Sequence, residues 1–324
     1  MKNILLTSAG RRVSLLRCFQ RDLKELNIHA EVFSTDLRPD RSSACQVASA
    51  CFASPRVTDP SYAGFLLDLC KTHNVGMVVP TIDTELLVLS ECRLEFLEHG
   101  IQIVVSDGSL ISTCRDKRKT HKLFESLGLH SAEIFTPDNP QYPCFAKPIG
   151  GSCSVGLHLV EHPNDWPSNV QFNPDYMLCE YLQPDEHLEY TVDMYFNMAG
   201  KLSCLIPRQR LETRAGEVSK GRTVNGDLVK RLWPIFDSLQ GARGCLTLQV
   251  FINHESSLIT GIEINPRFGG GFPLSDYAGG KYTEWLIREL FLNENIPEFH
   301  DWADQQVMLR FDDAIFFDEN CSAS

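Results

Sequence analysis

The chain has 324 residues, 43% of them hydrophobic and 22% charged, which is ordinary for a folded protein and long enough for two or three domains. Its 42 acidic residues outnumber 30 basic ones, and the resulting net charge of −12 argues against partners such as nucleic acid or an anionic membrane. Twelve cysteines are scattered without a CxxC pair or zinc spacing, so we expect reduced thiols in a cytoplasmic protein. The start, MKNILLTSAGRR, resembles neither a signal peptide nor a membrane span.

Strand and helix patterns alternate along the first hundred residues. We predict strands in NILLTSA, HAEVFSTD, VGMVVPT and IQIVVSD, and helices in SLLRCFQRDLKEL, SYAGFLLDLCKTH and ELLVLSECRLEFLEHG. This alternation predicts a doubly wound parallel sheet, whose ligands bind at the carboxyl ends of the strands. Ala9 to Arg12, Asp36 and Thr81 to Glu85 lie at those ends.

The pattern changes beyond about residue 113. A helix in RDKRKTHKLFESLGLH ends at Gly128, and strands joined by turns follow. We predict these strands in CFAKPIG, YMLCEYL, EYTVDMYFN, KLSCLIPRQRLE and VMLRFDDAIFF, and a hairpin of GCLTLQVFIN with SLITGIEINPR. Two further helices are predicted in DLVKRLWPIFDSLQG and YTEWLIRELFLNEN. The second half therefore reads as antiparallel sheet with a few helices.

A lysine followed by a loop of small residues is the first candidate site. Lys147 ends an apolar strand, and the nine positions that follow include Gly150, Gly151, Ser152, Ser154 and Gly156. Small residues let backbone amides approach phosphate oxygens, and a lysine adds positive charge. The order of residues excludes a P-loop. An ordinary hairpin loop with an exposed lysine would give the same pattern.

The segment EINPRFGGG, 263–271, is the second candidate site. Glu263, Asn265 and Arg267 alternate along a strand and share one face, and Gln249 on the partner strand can face Glu263. Such oxygen donors suit Mg²⁺, and the arginine suits a phosphate oxygen. We expect the three glycines to let the chain turn tightly beside the substrate. A solvated strand face with a Glu–Arg pair is the alternative.

Two further segments give weaker signals. Glu180 and Glu189 flank a turn at Leu182, where backbone groups could bind an adenine edge and an acid could bind a ribose; solvated turn residues would look the same. The cations of the second segment, Arg208, Arg210, Arg214 and Lys220, suggest an anion site or a charged edge strand.

Another basic segment begins at Lys117, in the first turn of a predicted helix. A cation is disfavoured there unless an anionic ligand is present. The alternative is a plain solvated face.

Taken in order, these segments resemble the ATP-grasp superfamily of carboxylate–amine ligases, and within it the branch of the carbamoyl-phosphate synthetase large subunit. The matching motifs are DK at 116–117, AKPIGGSCSVG at 146–156, EYL at 180–182, EYTVD at 189–193, LQVF at 248–251 and EINPRFGGG at 263–271. The resemblance implies an α/β fold with a Rossmann-like preATP-grasp domain and parallel sheet at 1–113. Two α+β subdomains with antiparallel sheets would follow and sandwich ATP, a lid at 114–185 and a metal-binding subdomain at 186–324.

The resemblance also assigns roles to individual residues. ATP contacts would come from Lys117, Lys147, Gly150, Gly151, Ser152, Ser154, Gly156, Glu180, Tyr181, Leu182 and Glu189. Gln249, Glu263 and Asn265 would hold one or two Mg²⁺ ions, with Mn²⁺ as an alternative. Arg267 would steady the transferred phosphoryl group, and Arg208 and Arg210 would do the same or hold the acid substrate.

The implied chemistry converts a small-molecule carboxylate into an acyl phosphate, which an amine then attacks. The chain carries one such module and no attached glutaminase, so a stand-alone amino-acid or peptide-type ligase is expected, and a homodimer would be typical of the family. We expect the substrates between the first domain, at Asp36 and Thr81 to Glu85, and the segment from Arg208 to Lys220. A non-catalytic ATP sensor is the alternative; a dinucleotide oxidoreductase is disfavoured because GxGxxG is absent.

Overall fold

A computed structural model describes residues 2–151, 156–214 and 216–318. The first sheet has five parallel strands, in the order β3-β2-β1-β4-β5. They are β1 (Asn3–Thr7), β2 (Val32–Asp36), β3 (Ala50–Ala53), β4 (Val75–Pro80) and β5 (Gln102–Ile103). The strand order reverses between β1 and β4, which is the position where sheets of this kind bind ligands. The predicted parallel sheet is confirmed.

Helices cover this sheet, and one segment predicted as a single helix is divided into two. The helices are α1 (Val13–Glu25), α2 (Ser43–Val47), α3 (Tyr62–Thr72), α4 (Leu86–Glu91) and α5 (Arg93–Glu98), with a 3-10 turn at Pro39–Arg41. On α1, Leu16, Phe19 and Leu23 are buried at helical spacing. The single helix predicted over 85–100 is two helices, because the backbone leaves helical geometry at Cys92.

Two short helices lead out of the first sheet, α6 (Gly108–Arg115) and α7 (Lys117–Ser126). Asp116 separates them and caps α7, accepting the N–H of Arg118 over 2.9 Å. The predicted boundary at 113 falls within α6.

The second sheet is small and antiparallel, with the order β7-β10-β8-β9. Its strands are β7 (Ile134–Phe135), β8 (Cys144–Pro148), β9 (His158–Val160) and β10 (Tyr176–Glu180). The strand β6 (His130–Ser131), which precedes it, joins the third sheet instead. Ala146, Val170 and Leu178 form a small core of its own.

The third sheet has seven strands, in the order β16-β13-β12-β11-β14-β15-β6. Besides β6, its strands are β11 (His187–Phe196), β12 (Leu202–Arg214), β13 (Glu217–Thr223), β14 (Gly244–Asn253), β15 (Ile259–Asn265) and β16 (Val307–Leu309). All neighbours are antiparallel except β15 and β6. The predicted hairpin is confirmed, whereas the strand predicted in VMLRFDDAIFF extends only over β16.

Three helices complete the fold, α8 (Asp227–Phe236), α9 (Phe272–Tyr277) and α10 (Tyr282–Leu292). One apolar core connects α1 and the first sheet to the third sheet and α10. Arg21 on α1 adds a two-pronged ion pair with Asp276 on α9, over 2.6 and 2.7 Å. This packing fixes the loops that follow β1 and β4 above the third sheet. No helix in the described part of the chain combines the length and apolar character needed to cross a bilayer.

Candidate active site

Three oxygen-bearing side chains converge on the hairpin of β14 and β15. Gln249 lies opposite Glu263 in the strand register. Asn265, two residues farther along β15, donates from Nδ2 to Oε1 of Glu263 over 2.9 Å. Residues at i and i+2 share a face of a strand, so all three side chains project to the same side. The structure thus brings together the three predicted metal ligands, Gln249, Glu263 and Asn265, which we call the metal-ligand group.

Arg267 lies beside this group and is held by an acid of the first sheet. Its Nη2 and Nε donate to Oδ2 of Asp83, in the loop after β4, over 2.7 and 3.2 Å. Nη2 also lies 3.5 Å from Oδ1 of Asn265. Both side chains of the ion pair are mostly buried. The pair therefore links the loop after β4 to the floor formed by the third sheet.

Arg208 borders the cleft but is almost completely buried in the floor. Its Nε and Nη2 donate to Asp193 over 2.8 and 3.0 Å, and both side chains are at most 1% exposed. Gly271 makes room for it, because a Cβ built there would lie 2.1 Å from Nη1 of Arg208. This burial supports a structural role and does not favour the predicted contact with phosphate or substrate.

The three glycines line the cleft, where the chain turns, and none of them has a positive φ. That they lie beside the substrate stays a prediction. A Cβ on Gly269 would lie 2.9 Å from Oγ1 of Thr247, and one on Gly271 would meet Arg208. These glycines let the backbone pass close over the buried ion pair.

Arg210 does reach the cleft, where it pairs with Glu189. Its Nη1 lies 2.9 Å from Oε1 of Glu189, and the same oxygen accepts a hydrogen bond from Nε2 of Gln249. The predicted ribose ligand therefore lies between a predicted metal ligand and a predicted phosphate or substrate ligand. These three residues form one connected polar group.

The other two cations of the predicted anion segment point away from the cleft. Lys220 pairs with Glu212 over 2.6 Å, and Arg214 pairs with Asp312 over 2.9 Å. All four side chains are exposed and outside the residues that line the cleft. The expectation that this whole segment faces the substrate is therefore wrong for Arg214 and Lys220.

Two acids expected near the substrate instead shape the loops of the first sheet. Asp36 accepts the backbone N–H groups of Gly10 and Arg38, over 2.9 and 3.0 Å. Glu85 is fully buried and accepts the N–H of Thr81 over 2.8 Å. Burial raises the pKa of the Glu85 carboxyl. Neither acid lines the cleft.

The two predicted phosphate-binding lysines lie close to the metal-ligand group. Lys147, on β8, is only 6% exposed. Nζ of Lys117 donates to the carbonyl oxygen of Gly151 over 3.1 Å. Burial and the positive charge of Lys147 lower the pKa of the Lys117 ammonium group, and the negative charge of Glu263 opposes them. The structure therefore gathers both lysines and Glu263 into one electrostatic neighbourhood.

The predicted adenine-binding residues lie at the end of β10. Glu180 is exposed, and its Oε2 accepts the backbone N–H of Glu133 over 3.3 Å. The ring of Tyr181 stacks on Phe145 at 6.0 Å between centroids, and Leu182 is half-buried. Of the predicted loop, Gly150, Gly151 and Gly156 are described, whereas Ser152 and Ser154 lie outside the described residues.

A cleft of about 400 Å³ opens between the floor and the loops that follow β1 and β4. A cavity of about 60 Å³ beside Lys117 and Gly151 adjoins it. Both are bounded by Asp83, Thr84, Glu263 and Asn265. The metal-ligand group therefore lies where the larger cleft meets the lysine side.

Two family models match the chain. Residues 4–104 match the family described as "PylC-like, N-terminal domain". Residues 172–310 match the family described as "ATP-grasp in the biosynthetic pathway with Ter operon". The second match covers the segment that carries Gln249, Glu263 and Asn265, and the two matches together support the resemblance to ATP-grasp carboxylate–amine ligases. The finer resemblance to carbamoyl-phosphate synthetase stays a prediction. Comparison with curated protein sequences gives no match.

Solved structures share the ATP-grasp fold at low sequence identity. The biotin carboxylase domain dimer of Hydrogenobacter thermophilus 2-oxoglutarate carboxylase, in complex with MgADP, ADP and bicarbonate, is 15% identical, with a TM-score of 0.71 over 95% of this chain and 73% of that one. The N5-carboxyaminoimidazole synthetase of Staphylococcus aureus with ADP is 14% identical, with a TM-score of 0.69 over 92% and 80%. The L-amino acid ligase of Bacillus licheniformis is 14% identical, with a TM-score of 0.66 over 90% and 74%. The predicted ATP-grasp fold is thereby confirmed.

The metal-ligand group of this ATP-grasp chain has the chemistry that Mg²⁺ requires. Glu263 supplies a carboxylate, and Gln249 and Asn265 supply amide oxygens on the same face. Mg²⁺ binds through few protein oxygens and completes its shell with water and phosphate. The donors therefore fit this ion.

Sequence reasoning missed a group of charged residues that also line the cleft. Glu217 accepts from Nη1 of Arg310 over 3.2 Å, and Arg11 lies 3.6 Å away. Arg12 lines the cleft as well. Burial alone would raise the pKa of the Glu217 carboxyl, but the charges of Arg12, Arg310 and Arg11 outweigh it and lower that pKa. Only the position of Arg11 and Arg12 at the carboxyl end of β1 signalled this group.

Proposed function

We propose that the chain is an ATP-dependent ligase that activates a carboxylate with Mg-ATP as an acyl phosphate and joins it to an amine. ADP and phosphate would be the other products. The observation that carries this proposal is the convergence of Gln249, Glu263 and Asn265 beside Arg267, with two lysines close by. Phosphoryl transfer needs positioning and charge neutralisation more than a covalent side chain, and this arrangement supplies both.

Each group has a role in this mechanism. Lys117 and Lys147 would bind ATP phosphates, and Glu180, Tyr181 and Leu182 would hold the adenine. Gln249, Glu263 and Asn265 would bind the Mg²⁺ ion that neutralises the transferred phosphoryl group. Arg267, oriented by Asp83, would stabilise the same group from the substrate side. Arg210, paired with Glu189, would contact the phosphoryl group or the acid substrate near the ribose of ATP.

The relatives support the general class of reaction. The solved neighbours include a biotin carboxylase in complex with MgADP and bicarbonate and an L-amino acid ligase, and the ATP-grasp family model covers the metal-ligand group. The neighbouring biotin carboxylase domain is a dimer, and we extend that expectation to this chain. We also propose that the protein is located in the cytoplasm.

A screen for ADP release over amino acids and small carboxylates, paired with amines, tests the proposal. Glu263→Gln and Lys147→Met should each lower turnover at least about 100-fold, because the first weakens the hold on Mg²⁺ and the second removes a positive charge, and both positive charges stabilise the transferred phosphoryl group. Glu255→Gln, in the exposed turn of the same hairpin, and Lys230→Met, on the exposed face of α8, are the matched controls and should leave turnover unchanged.

Two results would contradict the ligase. Turnover that survives both site variants would mean that another group performs the chemistry. Nucleotide binding without ADP release over a broad panel of acids and amines would favour the alternative, an ATP-binding sensor of the same fold.

A further inference from the structure

Arg12 differs from the other arginines of the cleft. Five of these have a carboxylate within 4.0 Å, as Arg267 has Asp83. Within the described residues, Arg12 alone has none, and its side-chain hydrogen bond runs from Nη2 to the carbonyl oxygen of Thr81 over 3.3 Å. Arg12 is half-buried, and a partly desolvated guanidinium without a carboxylate in direct contact is unfavourable, which favours an anionic ligand there.

The place of Arg12 in the fold supports this reading. It follows β1, and Thr81 follows β4, so the hydrogen bond spans the point where the strand order reverses. Both loops line the cleft. Ligands of open parallel sheets bind at this reversal, outside the carboxyl ends of the strands.

The charges around the cleft also favour an anion. Six arginines line it, against three acids, Asp83, Glu217 and Glu263. Each of these acids is already engaged: Asp83 with Arg267, Glu217 with Arg310, and Glu263 with Asn265 in the metal-ligand group. Burial, with the positive charges of Arg267 and Arg310 adding to it, lowers the pKa of Arg12 to about 10, and the negative charges of Glu217 and Asp83 only partly oppose this shift. The positive charge at Arg12 is therefore only partly neutralised by the protein.

We propose that Arg12 forms a subsite for a second oxyanion of the acid substrate, a carboxylate or a phosphate that is not the group activated by ATP. This inference rests on the proposed ligase function, because the reacting carboxylate belongs beside Glu263 and Arg267. The cleft volume of about 400 Å³ accommodates a small molecule that reaches from Arg267 to Arg12. The substrate class is thus an acid with at least two anionic groups.

Direct binding tests the subsite without relying on catalysis. Succinate and inorganic phosphate are titrated into the nucleotide-free full chain by calorimetry. Arg12→Gln should weaken both probes at least tenfold, Arg12→Lys should retain part of the affinity, and Arg17→Gln, exposed on the adjoining helix α1, should bind within twofold of the wild type. Circular dichroism and thermal unfolding check that Arg12→Gln folds. Wild-type chain that binds neither probe, or Arg12→Gln that binds both normally, overturns the subsite.

Turnover then identifies the oxyanion and separates the two proposals. ADP release is compared for monocarboxylates, dicarboxylates and phosphorylated carboxylic acids of matched length. Preference for either doubly anionic class, with a KM raised at least tenfold by Arg12→Gln and an unchanged Kd for MgADP, supports the subsite and names its ligand. Preference for monocarboxylates overturns it. Probe binding that depends on Arg12 without ADP release from any acid keeps the subsite and contradicts the ligase.

Discussion

The floor of the cleft and the wall opposite it are built in different ways. Gln249, Glu263 and Asn265 occupy two adjacent strands of one hairpin, so strand alternation alone puts them on one face. Arg12 and Asp83 come from loops after β1 and β4, and only the packing of the parallel sheet brings them to the cleft. We therefore expect changes beneath the floor to alter stability, and changes in the wall to alter substrate recognition.

The largest stability effect is expected under the floor. Asp193→Ala removes the partner of the buried Arg208 and leaves an uncompensated charge, which costs about 3–5 kcal/mol of unfolding free energy. Urea denaturation measures this. The control is Lys220→Ala, which breaks the exposed pair with Glu212 and should leave the midpoint unchanged. If both substitutions lowered the free energy of unfolding by the same small amount, the buried ion pair would be no more important for stability than the exposed one.

Gly271 tests how tightly the backbone passes over that buried pair. Gly271→Ala puts a methyl group against Nη1 of Arg208 and Cγ1 of Val218, so we expect a loss of about 1–3 kcal/mol. Gly64→Ala, in α3, meets no atom within 4 Å and should be neutral or slightly stabilising. Thermal unfolding compares the two, and a neutral Gly271→Ala would show that the floor can yield.

His121, on α7, makes the stability depend on pH. Burial, with the positive charge of Lys147 adding to it, lowers the pKa of this imidazole from 6.5 to about 4. The unfolded chain therefore takes up the proton first as the pH falls below 6.5, and stability is lost down to about pH 4. Between pH 7.5 and pH 5 the loss is about 2 kcal/mol. Urea unfolding of His121→Phe at both pH values should show a pH dependence smaller by that amount, and an unchanged dependence would contradict the shift.

A substitution in the wall should have little effect on the free energy of unfolding. Asp83→Asn keeps a side chain of the same size but leaves Arg267 without its orienting charge. We expect a KM for the acid about three- to tenfold higher, with an unfolding free energy within about 1 kcal/mol of the wild type. Steady-state kinetics and denaturation on the same sample measure both. Loss of stability without a change in KM would mean that Asp83 stabilises the fold and does not contribute to substrate recognition.

The sequence was most informative where local periodicity decides geometry. The hairpin register that sets Gln249 opposite Glu263, and the parallel sheet, follow from residue alternation and element order. The burial of Arg208 does not, because Arg208 and Arg210 share one face of a strand and only tertiary packing covers the first. The pairing of Asp83 with Arg267 joins segments far apart in the chain, and no local pattern marks it.

The central claim is that ATP activates a carboxylate as an acyl phosphate, and isotope transfer tests it most directly. The acid found in the ADP-release screen is labelled with ¹⁸O in its carboxylate, and the phosphate released on ligation is analysed by mass spectrometry. The mechanism predicts one ¹⁸O atom per phosphate, because the acyl phosphate leaves one carboxylate oxygen on phosphorus. Unlabelled phosphate, released together with the ligated product, would contradict it.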